Sequence, residues 1–438
     1  MTRRGARRGD AVTDSVARGT AINLTARLLA VGGVLLITAF TARLGTDKQG
    51  GFALFTSVEG LLLALWSGFG VALARRVSHH GEQPRELLSA VVVVCLAIGL
   101  LASVGLWAVS VFGPPAYSTL WLLALAAPVL LLAPNLAGVW LGEGRMAPMA
   151  AVSLAPPLLT LTAVGVLALA HAGSLPRVLA AWVTAKVLVG LGVLFVLWRG
   201  GRLGAPGFAA LRGEARFIAT IAVTNLIGLA NYRVGLFVIE RLLGLSATGV
   251  YSIAVVVAEL LWFVSGSLTQ AVYGRIGTKD RERAAATTVR VLQLSLAGLL
   301  IAAPLLWAVA RLVIPWVLGP AYAASLPMLA LLLPGVLVFG GASALSAYFT
   351  NHAGRPQVPA QVAATSLVIN ALLALLLVPR LGMAGAALAA SLSYAASVLL
   401  LAARFAAHAR LSLAAVLWPG PQLLADLRAL ASRAGGRR

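Results

Sequence analysis

The chain has 438 residues, 60% of them hydrophobic and only 11% charged. A soluble domain of this size carries about a quarter charged residues, which argues against a water-soluble enzyme. The net charge of +21 would suit nucleic acid in a soluble protein. Here, however, the basic residues sit in short loops and tails between apolar runs, which is the pattern that orients membrane helices and not one that binds nucleic acid.

The amino-terminal residues MTRRGARRGD open a basic tail over 1–18. The apolar run that follows is a full span, too long for the core of a cleaved signal. Apolar runs predict helices at roughly 20–43, 51–74, 87–112, 118–141, 147–171, 176–198, 215–240, 246–273, 285–310, 324–350, 358–378 and 384–405. Breakers such as Gly113-Pro114-Pro115 and Gly319-Pro320 end them. The expected fold class is therefore all-α integral membrane, with about twelve transmembrane helices and no soluble catalytic domain. The domain plan is a basic tail 1–18, a six-helix bundle 19–200, a linker 201–214, a second six-helix bundle 215–405 and a basic tail 406–438. The last tail has the apolar stripe and arginine-rich end of a short interfacial helix, a disordered tail being the alternative.

Lysine and arginine counted on alternate sides put both termini in the cytoplasm. One side holds the amino-terminal arginines, Arg75, Arg76, Arg85, Arg145, Arg199, Arg202, Arg212, Arg216, Arg275, Lys279, Arg281, Arg283, Arg290, Arg355 and the tail arginines. The other holds only Arg43, Lys48, Arg177, Arg241, Arg311 and Arg380. That arrangement requires an even number of spans.

An internal repeat points the same way. Leu44-Gly45-x4-Gly50-x-Phe52-Ala53 resembles Leu243-Gly244-x4-Gly249-x-Tyr251-Ser252, each joining the first and second helix of a half. Gly144-Arg145 and Gly354-Arg355 each follow a fourth helix. Parallel repeats of this kind are a transporter architecture with the substrate site between the halves, and chance likeness of glycine-rich loops is the alternative.

A charge at membrane depth costs at least about 2.5–3.5 kcal/mol, so it usually faces a cavity or a partner. Five such residues stand out: Arg27, Lys186 and Arg233, read as substrate-binding cations, and Glu59 and Glu259, read as sites of proton or ion coupling. Arginine suits phosphate because its planar fork makes two parallel hydrogen bonds. The structural alternatives are buried pairs, Arg27 with Glu259 or Arg233 with Glu59, and a Lys186 that snorkels to the interface. Asn23 and Asn231 are added as candidate substrate contacts. Asn135, Asn225 and Asn370 also lie in or near apolar runs, where asparagine commonly bonds a neighbouring helix. Pro334 with Gly335, Gly340 and Gly341 marks a candidate hinge, close helix packing being the other reading. There is no catalytic constellation, no metal-ligand spacing around His79 and His80, and no P-loop, so neither a cofactor nor direct nucleotide hydrolysis is expected.

Several segments together resemble the polysaccharide (O-antigen/teichoic-acid-type) flippase family of the multidrug/oligosaccharidyl-lipid/polysaccharide exporter superfamily. They are ARLGTDKQGGFALF (42–55), GFGVALARR (68–76), NYRVGLFVIERLLGLSATGVYSIA (231–254), LGPAYAASLPMLALLLPG (318–335), NHAGRPQ (351–357) and INALLALLLVPRLGMAGAALAASLSY (369–394). The resemblance implies two bundles around a positively lined central cavity in a bacterial plasma membrane. The substrate it implies is an undecaprenyl-diphosphate-linked oligosaccharide, flipped to the outer leaflet by alternating access for cell-surface polysaccharide biosynthesis. Arg27 and Arg233 would then contact the diphosphate or sugar acids. The partners implied are membrane lipids and the polymerase or glycosyltransferases of the same pathway. Proton-coupled drug exporters of that superfamily often carry an Asp in helix 1, which this chain lacks. A cation-coupled multidrug or metabolite exporter is the main alternative. A membrane-embedded glycan polymerase or glycosyltransferase is disfavoured by outer loops, such as 113–117 and 312–323, that hold no charge.

Overall fold

The computed structural model describes residues 25–80, 85–263, 265, 266, 269, 276–278 and 280–418. Expectations that fall on other residues lie outside this description, among them Asn23, the basic tail 1–18 and most of the carboxy-terminal tail. All regular structure among the described residues is helical. Ten helices are long and apolar enough to cross a membrane, eleven when the bent pair Thr46–Leu65 and Gly68–Ser78 is taken as one span. The predicted eighth span corresponds to the shorter apolar helix Leu245–Glu259, and its predicted continuation falls largely outside the described residues. Large apolar side chains such as Leu101, Phe112 and Trp316 are strongly exposed on the outer helix faces, as expected of a surface solvated by lipid chains.

The chain divides into two compact units, Met1–Leu229 and Ala230–Arg438. In the first unit the helices are α1 (Thr25–Arg43), α2 (Thr46–Leu65), α3 (Gly68–His80), α4 (Arg85–Phe112), α5 (Leu120–Leu130), α6 (Leu132–Leu136), α7 (Gly138–Gly142), α8 (Met146–Leu169) and α9 (Leu175–Arg199). α10 (Phe208–Leu243) carries the division between the units within its length. The linker expected over 201–214 is thus already helical from Phe208. Its helical end is held by Glu214, which pairs with Arg76 at 3.1 Å and Arg75 at 3.8 Å. The second unit continues with α11 (Leu245–Glu259), α12 (Arg281–Leu318), α13 (Ser325–Gly340), α14 (Ala342–Ala347), α15 (Gln357–Leu381), α16 (Met383–Ala409) and the short α17 (Leu413–Leu417).

Three predicted continuous spans are broken, the second, the fourth and the tenth. The second bends by 42° between α2 and α3, at Trp66-Ser67-Gly68-Phe69-Gly70, where two glycines lower helix propensity. Restarting the helix leaves an N–H of the first turn to be satisfied. Gly70 N–H donates to the Asn135 side-chain oxygen at 3.0 Å, from α6. The glycines also permit close contact, because a Cβ on Gly138 would collide with the Gly70 carbonyl. The fourth span divides into α5, α6 and α7. Pro128 cannot donate to the carbonyl of Ala124, and Ser103 Oγ of α4 donates to it instead, at 2.6 Å. In the tenth span Pro334 lies inside α13, and Ser391 Oγ of α16 donates to the carbonyls of Leu331 and Leu332 in the turn before it.

The internal repeat is visible in the backbone. Gly45 and Gly244 precede α2 and α11 with φ of 131° and 84°. Gly144 and Gly354 have φ of 68° and 61°. Side chains rarely adopt such values, so glycine is kept at both copies of each motif. A third copy went unread in the sequence: Ala116-Tyr117 and Ala321-Tyr322 each sit in a 3-10 turn ahead of the proline-containing helix.

Candidate functional site

Each unit pairs one carboxylate with one cation inside its own helix packing, Glu59 buried and Glu259 half-buried. In the first unit α2 delivers Glu59, only 2% exposed. α9 delivers Trp182 and Lys186, four residues apart and therefore on one helix face. Lys186 Nζ lies 2.6 Å from Glu59 Oε1, and Trp182 Nε1 donates to Glu59 Oε2 at 2.8 Å. The ammonium also stands 4.3 Å over the Trp182 ring, and Phe52 packs edge-on against that ring. Lys186 shares the stripe of Trp182, Gly190, Val193 and Leu197, which α9 buries, whereas Leu188, Leu191 and Phe195 face outward. It therefore turns inward to a counter-ion and does not snorkel.

In the second unit α10 carries Tyr232 and Arg233, and α11 ends on Glu259. Arg233 Nη1 is 3.1 Å from Glu259 Oε1, and Nη2 donates to Oε2 at 3.4 Å. Aromatic rings surround the pair: Tyr232 and Trp262 have centroids 4.6 Å apart, and Phe339 and Tyr394 4.9 Å. A small cavity of about 20 Å³ is lined by Tyr232, Tyr251, Glu259, Trp262, Asn370 and Tyr394. That is room for roughly one water. Trp262 Nε1 and Asn370 Oδ1 are buried without a hydrogen-bond partner among the described residues, so polar atoms seek a partner near this cavity.

The structure therefore replaces the pairings weighed from sequence. Glu59 takes Lys186, not Arg233, and Glu259 takes Arg233, not Arg27. The physical reason is reach: α9 lies against α2, and α10 runs directly into α11, so the nearest cation serves each carboxylate. Arg27 lies on α1, exposed, and forms no ion pair among the described residues. Asn231 is 3% exposed. Its amide donates to Ser366 Oγ at 3.0 Å and its backbone and side-chain oxygens accept from Asn370 at 2.9 and 3.2 Å. Asn231 is thus committed to bonds between helices. α13 ends at Gly340 and the chain restarts as α14 after Gly341. A Cβ on Gly335 would collide with Ser391, and one on Gly340 or Gly341 with Leu299 or Leu292, so these glycines serve close packing. Among the described residues no three His, Cys, Asp or Glu side chains come together as a metal site would require.

Trp182, Tyr232, Trp262, Phe339 and Tyr394 escaped the sequence reading. Trp182 had a signal, one helical turn before Lys186. The other rings converge from separate helices, and no spacing in the chain reports that.

No protein-family model matches the sequence, and no curated relative matches it. Solved structures do match over nearly the whole chain. One is a multidrug-resistance MATE-family transporter of the MOP superfamily in an inward-facing conformation, with TM-score 0.71 and 15% identity over 88% of this chain and 94% of that one. Another is the lipid II flippase MurJ in an inward closed conformation, with TM-score 0.72 and 13% identity over 89% and 87%. A third is a MOP-superfamily transporter from Pyrococcus furiosus, whose binding pocket of reverse polarity suggests a different function. It matches with TM-score 0.64 and 12% identity over 90% and 95%. The chain is a multi-pass membrane protein with the fold of MOP-superfamily transporters.

Proposed function

We propose that this protein is a flippase for an anionic lipid-linked substrate. On this reading it carries an undecaprenyl-diphosphate-linked oligosaccharide from the cytoplasmic to the outer leaflet of a bacterial plasma membrane, by alternating access. The observation that carries the reading is Arg27, an exposed guanidinium on an apolar helix with no carboxylate beside it among the described residues. A cation left unpaired on a membrane helix is expensive, and a diphosphate oxyanion is the partner its fork geometry fits. The fold shared with a flippase of a lipid-linked molecule supports the reading. So does the excess of arginine on one side of the spans, which orients both termini to the cytoplasm. Lys186 and Arg233 serve as further cations that an anion reaches by competing with Glu59 and Glu259. On this reading the bending is placed at the proline inside α13, Pro334, and at the interruption between α13 and α14 at Gly341.

A cation-coupled exporter is the second reading, favoured by the two carboxylates within the spans, buried Glu59 and half-buried Glu259, either of which can carry a proton or ion. Lipid-linked glycan extracted from a deletion strain separates the two. Build-up of complete polyprenyl-diphosphate glycan with loss of surface polymer is expected of the flippase. An unchanged lipid-linked pool with intact polymer would overturn that reading in favour of the exporter.

A further inference from the structure

The Gly-Arg motif that recurs after the fourth helix of each half is electrically balanced in one copy and not in the other. In the first unit Glu143 precedes Gly144-Arg145. Its carboxylate lies 3.5 Å from Arg145 and also bonds Arg202. In the second unit the residue before Gly354-Arg355 is Ala353, so the equivalent carboxylate is missing.

What surrounds Ala353 is basic. A π-helical turn, Tyr348–His352, closes α14. Tyr348 Oη and His408 Nδ1 of α16 are 3.1 Å apart, and the rings of Tyr348 and His352 meet at a tilt with centroids 4.9 Å apart. Arg281, at the start of α12, donates to the His408 carbonyl. Arg355 follows the same turn, its backbone N–H donating to the Phe349 carbonyl at 2.7 Å, and His352 Nδ1 lies 2.7 Å from the Thr278 carbonyl. None of these four basic residues forms an ion pair among the described residues. Of the nearby acids, Asp280 caps α12 and pairs with Arg283 at 3.1 Å, and Glu282 is exposed, with no ion pair among the described residues.

Two arginines and two histidines gathered on one surface, with no carboxylate paired to them among the described residues, attract an anion. We propose that Arg281, His352, Arg355 and His408, with the Tyr348 hydroxyl, bind a phosphate-class oxyanion, a phosphomonoester or a diphosphate. Two arginines and two histidines match a multiply charged tetrahedral group better than a single carboxylate. The source is either a free phosphate or a lipid headgroup. This site is distinct from the ion pairs of the spans and does not rest on the transport reading.

The test uses the full chain in detergent, titrated with inorganic pyrophosphate by calorimetry and thermal shift, against sodium chloride of matched ionic strength. In parallel, the protein is reconstituted in phosphatidylcholine membranes with and without phosphatidylglycerol, and co-purifying anionic lipid is weighed by native mass spectrometry. Pyrophosphate is expected to bind and stabilise beyond the salt control, and Arg355→Gln to weaken this roughly tenfold, as loss of one charge-assisted contact does. Ala353→Glu, which copies Glu143, is expected to do the same without removing a single basic group. Should that variant fail to fold, Arg355→Gln alone decides. Binding of free pyrophosphate assigns a soluble ligand, and retention of phosphatidylglycerol alone, lost in Arg355→Gln, assigns a headgroup. No effect beyond matched salt in either arm, or binding unchanged in Arg355→Gln, overturns the proposal.

Discussion

Lys186 and Glu59 stand 2.6 Å apart, and the indole of Trp182 takes the second carboxylate oxygen. The carboxylate is sealed in and the ammonium is the more accessible partner, with side chains 2% and 23% exposed. That asymmetry makes the two residues unequal under mutation.

Lys186→Met leaves a buried carboxylate with one neutral donor. Removing one partner of a buried pair costs about 3–5 kcal/mol, so a clear fall in the unfolding midpoint of the purified protein is expected. Glu59→Gln keeps the indole contact and leaves a cation that reaches solvent, so its loss is the smaller. The double variant Glu59→Leu, Lys186→Met should recover most of the stability. A cycle in which the two single losses simply add would show that the pair is not coupled.

Arg27 and Arg233 should separate transport from folding. Arg27→Gln touches an exposed side chain, and substitutions at such places lie within about 0.5 kcal/mol. Normal abundance and melting with impaired movement of lipid-linked substrate into the outer leaflet are expected. Arg233→Gln strands Glu259 among aromatic rings and should lower the melting temperature as well. Wild-type transport by an abundant Arg27→Gln protein would remove the cationic basis of the flippase reading.

The bend between α2 and α3 depends on one amide. Asn135→Leu withdraws the acceptor from Gly70 N–H and leaves a buried donor unsatisfied, at a cost of about 1–3 kcal/mol. Hydrogen exchange at the amide of Gly70 should rise first in this variant, ahead of amides in the middle of α4.

Close packing at Gly138 sets a steric limit. Its missing side chain leaves room for the Gly70 carbonyl, so Gly138→Val must push the helices apart, and overpacking costs about 1–3 kcal/mol. Gly105, which has open space around it, is the matched control. Gly105→Ala should melt as the wild type does, or slightly higher, since alanine favours the helix.

The sequence by itself determined the class of this protein. Runs such as 87–112 and 176–198 are apolar over a bilayer's thickness, and hydrophobic length is a local property that survives any arrangement of the helices. The glycines of the repeat were legible for the same reason, because a left-handed residue is demanded by the turn it occupies. The five charges within the spans were also found, since each is costly wherever it lies. Which charge meets which was settled only by the tertiary structure. Glu59 and Lys186 are 127 residues apart, and nothing in their spacing distinguishes that pairing from Glu59 with Arg233. The broken second and fourth spans were likewise hidden, because Asn135 and Ser103 satisfy the backbone from other helices. A helix can bend within a membrane only where such a partner arrives, and that is a fact about packing, not about the segment that bends.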